Sequence, residues 1–255
     1  MEEIAVTGMV LAVMPIGDYD RRLTILTKEK GKIAAFAKGA RKPTSALLAC
    51  SQPFTFGTFV LYEGRSSYTV TRAEVTNYFS EIREDFSAVY YGMYFCEFAA
   101  HVTREELPAV EELKLLYCSL RALTKASIGM ELVRAVFELK LMQILGNAPQ
   151  LHACVRCGKE QEVLLFSAAG GGVVCTQCMA GADSIRISES TLYTMQYILS
   201  APYEKLYTFT VSAKVLAELK QCMKRFLRVH IDCEMKALEL LEQINGESGI
   251  QKDLF

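Results

Sequence analysis

Apolar and polar positions follow two different periods along the chain, and the change falls near Ser80. Before it, short runs rich in β-branched and aromatic residues alternate with polar ones, as half-buried strands require. These runs are Ile4–Leu11, Arg22–Thr27, Lys32–Ala37, Phe54–Tyr62 and Tyr68–Thr71, separated by Gly31, Gly39, Pro43, Pro53 and Gly64. Glu29-Lys30-Gly31-Lys32 has the form of a hairpin turn, with Gly31 free to take positive φ. Five short strands within residues 1–80 predict a small barrel or sandwich. Five is the strand count of an OB-fold, and the count alone also allows an SH3-like barrel. From Glu84 the apolar period becomes helical: Asp85–Val102, Glu111–Leu123, Glu131–Leu145, Ser188–Leu199, and a long pattern from Ser212 to Ile244. Leu206–Val211 is too short to assign. The fold class is α+β: an amino-terminal β-barrel, then an α-helical domain interrupted near its middle.

The interruption carries the strongest chemical signal. Cys154/Cys157 and Cys175/Cys178 are two Cys-x-x-Cys knuckles. Two residues between thiols let one tight turn aim both sulfurs at a common centre, and two such turns supply a tetrahedron of thiolates, the closed structural site that zinc takes. Val163–Phe166 and Val173-Val174 flank Gly170-Gly171-Gly172, so the excursion reads as a short hairpin, a zinc ribbon with one structural Zn2+. Other readings of these cysteines explain less. Disulfides need an oxidising compartment, and Met1-Glu2-Glu3-Ile4 has neither the basic nor the apolar stretch of a signal peptide. A thioredoxin-like motif does not explain the duplicate, and a zinc deaminase needs His-x-Glu, which none of His101, His152 and His230 begins. The expected boundaries are 1–80 for the barrel, 81–150 and 183–245 for the helical domain, 151–182 for the ribbon and 246–255 for a carboxyl-terminal tail.

Charge becomes informative when divided. The whole chain carries a net −1. Residues 1–80 hold ten Lys/Arg against seven Asp/Glu, and the excess is concentrated in Asp18–Lys42, with eight basic and three acidic residues. A basic amino-terminal patch on an otherwise acidic body suits an anionic partner, or is a solvated set of strand ends. No apolar run reaches the length of a membrane span. A phosphate-cradling Gly-x-x-x-x-Gly-Lys-Ser/Thr is missing, and no carboxylate pair has the spacing of a general acid and base. A non-catalytic protein is expected.

Several of these segments, in order, resemble the bacterial recombination-mediator family RecO. Ile16–Thr27, with Asp18 where the family more often has Glu, is similar to its first passage between strands. Lys28–Ile33 and Ala37–Pro43 with Ser45 resemble its hairpin and basic loop, and Gln52-Pro53-Phe54 and Leu61-Tyr62 continue the likeness. Phe137–Met142 and Leu145–Pro149 lead into Cys154-Val155-Arg156-Cys157-Gly158, as in members that keep zinc. The resemblance implies an OB-fold, a helical domain with an inserted ribbon, and a cytoplasmic, nucleoid-associated role in DNA repair, recombination and the DNA damage response. It implies annealing of single strands, binding of single- and double-stranded DNA, partnership with RecR and the SSB carboxyl-terminal tail, and help in loading RecA. The alternatives in other classes are a zinc-ribbon transcription or adaptor module and a zinc hydrolase.

The residues add candidates of their own. Arg21, Lys28, Lys32, Lys38, Arg41 and Lys42 are the expected phosphate contacts, and Tyr19, Phe36, Tyr62 and Tyr68 are stacking candidates that compete with a role in the barrel core. Lys220, Lys224 and Arg228, with Arg225 adjacent, form a basic stripe at helical spacing, which solvation alone also explains. Arg134, Phe137 and Lys140 could form an apolar notch with a cationic rim for a carboxylate-ended peptide.

Overall fold

The computed structural model describes residues 3–64, 67–178, 184–231, 235–240 and 243. The expected tail, Cys233 and the residues just after the second knuckle lie outside them. Contacts divide the chain into two compact units, residues 1–124 with 235–255, and residues 125–234.

In the first unit five strands close into a barrel: β1 (Glu3–Ile16), β2 (Asp20–Thr27), β3 (Gly31–Ala37), β4 (Phe56–Glu63) and β5 (Tyr68–Asn77). Their order around the barrel is β1-β2-β3-β5-β4, with β3 and β5 parallel and the other pairings antiparallel. That order makes the barrel an OB-fold, which strand count had left undecided. Alternation decides what points inward. In β3, Ile33, Ala35 and Ala37 are buried while Lys32, Ala34 and Phe36 face out. Val6, Val10, Leu23, Ile25, Phe59, Leu61 and Val70 complete the interior. Small residues let the strands close tightly, so only Phe59 among the aromatics is fully inside this core, and of the stacking candidates Tyr68 packs against its edge.

A four-residue turn of helix, α1 (Leu47–Cys50), links β3 to β4. Helices α2 (Phe86–Val102) and α3 (Val110–Leu123) pack against each other and against β1 and β2. Asp85 caps α2 by accepting from the Ala88 N–H. The connection between the helices lies along the β2–β3 turn: Lys32 N–H donates to Arg104 O, Glu106 N–H to Lys30 O and Ala109 N–H to Lys28 O. The approach is close enough that a Cβ on Gly31 would stand 2.1 Å from the Arg104 carbonyl. Gly31 also takes φ +64°, so the turn expected from sequence needs glycine twice over. The two helices thus share a compact unit with the barrel.

The second unit holds α4 (Met130–Ile144), α5 (Glu189–Ser200) and α6 (Ala213–His230), which pack on one another, and a three-stranded sheet ordered β7-β6-β8. The expected hairpin is β6 (Leu165–Ser167) with β7 (Gly172–Val174), and β8 (Ser184–Arg186) adds a third strand that periodicity did not announce. The helix expected to reach Ile244 ends at His230. Ile231 is extended (φ −121°, ψ 110°), and helix resumes at Lys236 in the first unit. That second start is held from outside its own sequence, since Glu97 of α2 accepts from the Lys236 and Ala237 N–H groups at 3.2 and 2.8 Å. A carboxylate at a helix amino terminus satisfies orphan donors and complements the dipole.

Candidate nucleic-acid interface and metal centre

At one end of the β2–β3 hairpin the loop after β3 is fastened to the β1–β2 turn. Asp20 Oδ1 accepts from the Gly39 N–H at 2.7 Å, Arg41 N–H donates to Tyr19 O at 2.8 Å, and the Arg41 guanidinium donates to Gly17 O at 3.1 Å. Gly39 stands at φ +64°, which the tight return of the chain requires. The outcome is an exposed cluster of Lys38, Arg41 and Lys42 on a loop whose backbone is held in place. The Lys42 ammonium lies 5.3 Å from the centre of the Tyr19 ring, and Tyr19 itself is 54% exposed. A ring beside a cation offers a face to a base and a charge to its phosphate.

A row of directly paired residues crosses the outer wall of the barrel near this cluster. Met14 is opposite Arg22, Arg22 opposite Phe36, Phe36 opposite Thr69, and Thr69 opposite Tyr62. Paired residues share a face of a sheet, and every member of the row is exposed or half-buried. Phe36 and Tyr62, unrelated in sequence, therefore stand in one line with Arg22. Sequence reasoning did not single out Arg22, since its adjacency to Arg21 hid which of the two points outward. The strand period could have separated them.

Three of the expected contact residues have other partners, and a fourth, Lys28, lies elsewhere. Arg21 is a correction: its guanidinium donates to Leu48 O at 3.0 Å and Ser51 Oγ at 2.6 Å, fastening α1 to the barrel. Burial, and then the charge of Arg41, lower its pKa from the usual value. Lys32 is another, since its ammonium donates to Ala100 O at 2.5 Å in the last turn of α2, where carbonyls need partners. Lys28 is exposed but sits at the Thr27–Gly31 end, away from the loop. Tyr68 donates toward Glu63 and Glu106, both 3.2 Å away, within a network that also holds Lys30.

The notch expected at Arg134, Phe137 and Lys140 is also corrected. Phe137 is wholly buried. The Lys140 ammonium is buried and donates to Leu199 O, Ala201 O and Ile198 O at 2.8, 3.3 and 3.4 Å, closing the carboxyl end of α5. Arg134 pairs with buried Glu138 at 2.7 Å. Each of the three lies on a face of α4 turned into the unit. In the basic stripe on α6, Lys220 pairs with Glu131 of α4, while Lys224 and Arg228 are exposed.

The two knuckles converge as their spacing predicts. The sulfurs of Cys154, Cys157, Cys175 and Cys178 lie within 4.8 Å of one another, and Cys157 Sγ is 3.7 Å from Cys175 Sγ. Four sulfurs about 2.3 Å from a tetrahedral ion stand roughly 3.8 Å apart, so the cluster has the dimensions of a metal site. Each knuckle is a turn: Gly158 N–H donates to Cys154 O, with Gly158 at φ +75°, and Cys178 N–H donates to Cys175 O. Burial opposes ionisation of Cys154, but N–H groups of Cys175, Arg156 and Cys157 outweigh it and bring the thiol down to about 6. Hydrogen bonding to Cys157 and Cys175 pushes Cys178 up to about 12. So crowded a set of thiols ionises together only around a cation. These four residues could hold one metal ion.

No helix among the described residues is long and apolar enough to cross a membrane. Residues 1–79 match the family described as Recombination protein O N terminal, and residues 83–239 match Recombination protein O C terminal. A DNA repair protein RecO of Alkaliphilus metalliredigens is 37% identical over 245 residues, covering 94% of this chain and 99% of the relative. Those of Acetivibrio thermocellus and Symbiobacterium thermophilum are each 31% identical, covering 96% and 94% of this chain and 98% and 97% of theirs. With both domain families matched in order and the OB barrel and ribbon in place, the chain belongs to the RecO family of DNA repair proteins.

Proposed function

We propose that this protein is a recombination mediator without catalytic chemistry of its own, which binds and anneals single-stranded DNA on the outer wall of its barrel. The carrying observation is the meeting of the Lys38–Lys42 cluster with exposed Tyr19 on an OB barrel whose wall presents the Arg22–Phe36–Tyr62 row. A cationic groove beside stackable rings holds a single strand with little regard to sequence, because every base has a π face and every nucleotide a phosphate. Lys38, Arg41, Lys42 and Arg22 take phosphates, and Tyr19, Phe36 and Tyr62 take bases. Double-stranded DNA meets the same cations through its backbone.

The Cys154/Cys157/Cys175/Cys178 centre takes one zinc ion in a structural role, because an all-thiolate tetrahedral set prefers that metal and leaves no open coordination position. In this reading the protein also helps load RecA on SSB-coated DNA, together with RecR and the SSB tail, and works at the nucleoid; membership of a DNA repair family supports it. The testing experiment mixes labelled complementary oligonucleotides with the full chain, with and without SSB. Binding that weakens with salt, with annealing faster than in the protein's absence, supports the proposal. Absence of both overturns it.

A further inference from the structure

Along α5, within the second unit, runs a groove of about 770 Å³. Glu189, Tyr193 and Tyr197, spaced four residues apart on one face of that helix, form a wall about 12 Å long. Phe209, Thr210 and Val211, in the stretch that leads into α6, form the opposite wall. Phe209 meets Tyr197 edge to face, with ring centres 5.2 Å apart, and Tyr193 is 69% exposed. Glu189 is the one charged residue of the lining, and it has no ion pair among the described residues. No lysine or arginine lines the groove, and Lys214, just beyond it, pairs with Glu218 at 3.9 Å. The amino ends of α5 and α6 are closed by Ser188 and Ser212, which accept from the Thr191 and Val215 N–H groups. The backbone groups of Phe209, Thr210 and Val211 make no hydrogen bond among the described residues.

From these features we infer that the groove receives an arginine carried on an extended segment of a partner protein. The guanidinium lies across the tyrosine rings and pairs with Glu189. Aromatic faces beside an unpaired carboxylate attract a cation, and a planar, weakly hydrated guanidinium suits them better than an ammonium. The unpaired backbone along Phe209–Val211 offers donors and acceptors to a partner's main chain, as in strand addition, which favours a peptide over a free amine. Nucleic acid fits less well despite the rings, because its phosphates would meet a carboxylate and no cation. The site lies wholly in the second unit and does not depend on the DNA-binding reading of the barrel.

The test uses the full chain and a fluorescent, end-capped peptide of threonine and valine with one central arginine. This peptide should bind, and its citrulline counterpart, equal in shape but uncharged, should bind about ten-fold more weakly. A counterpart with aspartate at the centre should not bind. Glu189→Gln and Tyr193→Ala, each checked for an unchanged melting curve, should weaken the arginine peptide about five-fold and leave oligonucleotide binding within about two-fold. Glu189→Gln should also remove most of the preference for arginine over citrulline, which a merely structural role would leave in place. Equal binding of the arginine and citrulline peptides to the unaltered chain overturns the assignment, as does normal peptide binding by both variants. If Tyr193→Ala weakens an oligonucleotide while Glu189→Gln tightens it, the groove belongs to nucleic acid instead. If Tyr193→Ala dissolves a dimer of this chain and leaves the peptide bound, the groove belongs to a second copy.

Discussion

On the barrel, Lys38 and Lys42 reach solvent from a loop held by backbone hydrogen bonds, whereas in the second unit Lys140 is buried and gives its ammonium to three carbonyl oxygens at the end of α5. The residue type is the same and the uses are opposite. An exposed ammonium keeps its hydration and adds little to stability, so it stays available to a phosphate. A buried one must be satisfied by the protein, and once satisfied it cannot serve a ligand. The same division runs through the barrel, where Lys32 closes α2 while Lys38 and Lys42 do not take part in any helix end. Charge counted along a sequence therefore overstates the charge offered to a partner. Local backbone needs withdraw some of it.

The largest effect that would sharpen this contrast is expected at the ribbon, where the proposed cation is a metal ion held by four thiolates. Cys157→Ser should abolish the one ion per chain and unfold the ribbon, since the affinity of such sites, about 10–16 kcal/mol, is also folding free energy. Metal analysis with circular dichroism checks this, and a variant that keeps its metal would show that three thiolates suffice. Next comes Lys140→Met, which strands three carbonyls and should cost about 3 kcal/mol in urea denaturation. Lys38→Met should stay within about 0.5 kcal/mol in the same assay. Similar losses in the two variants would break the comparison.

A third experiment concerns binding instead of stability. Arg41→Ala with Lys42→Ala should flatten the dependence of log K on log salt by about 1.4 for single strands, two contacts at roughly 0.7 each. The effect should be alike for oligonucleotides of any sequence. An unchanged slope would exclude the loop as the contact surface.

The smallest effect is a pH dependence in the second unit. Glu218 of α6 accepts from the Ser188 N–H at 2.8 Å, from Ser188 Oγ at 2.8 Å and from Thr191 Oγ1 at 2.6 Å, so it joins α6 to the start of α5. Burial works against its charge, but these donors and Lys214 outweigh it and hold the carboxyl below its usual pKa. A depressed folded pKa means that the stabilisation is present above the unfolded value, about 4.3, and is lost as pH falls through the folded one. Glu218→Gln should cost about 1 kcal/mol at neutral pH and flatten the stability curve below pH ~4.3. An unchanged curve would mean that the carboxylate is not ionised in the fold.

Much of this molecule is legible without coordinates because the signals are local. Strand and helix periods come from where a side chain points relative to its neighbours, and β3 alternates as read, with Ile33, Ala35 and Ala37 inside. Two-residue knuckle spacing and a glycine after the first knuckle suffice to anticipate the thiol cluster. The turn at Gly31 and the basic loop at Lys38–Lys42 are likewise properties of a few adjacent residues.

What only the tertiary structure decided depends on residues far apart in the chain. The strand order that makes the barrel an OB-fold rests on the β3–β5 pairing, and the row through Arg22, Phe36 and Tyr62 exists only once that pairing is made. Arg21, Lys32 and Lys140 leave the set of candidate contacts because carbonyls of Leu48, Ala100 and Leu199 come within reach, from 27, 68 and 59 residues away. The fresh start at Lys236 is settled by Glu97, 139 residues earlier. A sequence states which groups a residue carries. Which of those groups remain unsatisfied, and so available for function, is decided by what folding brings beside them.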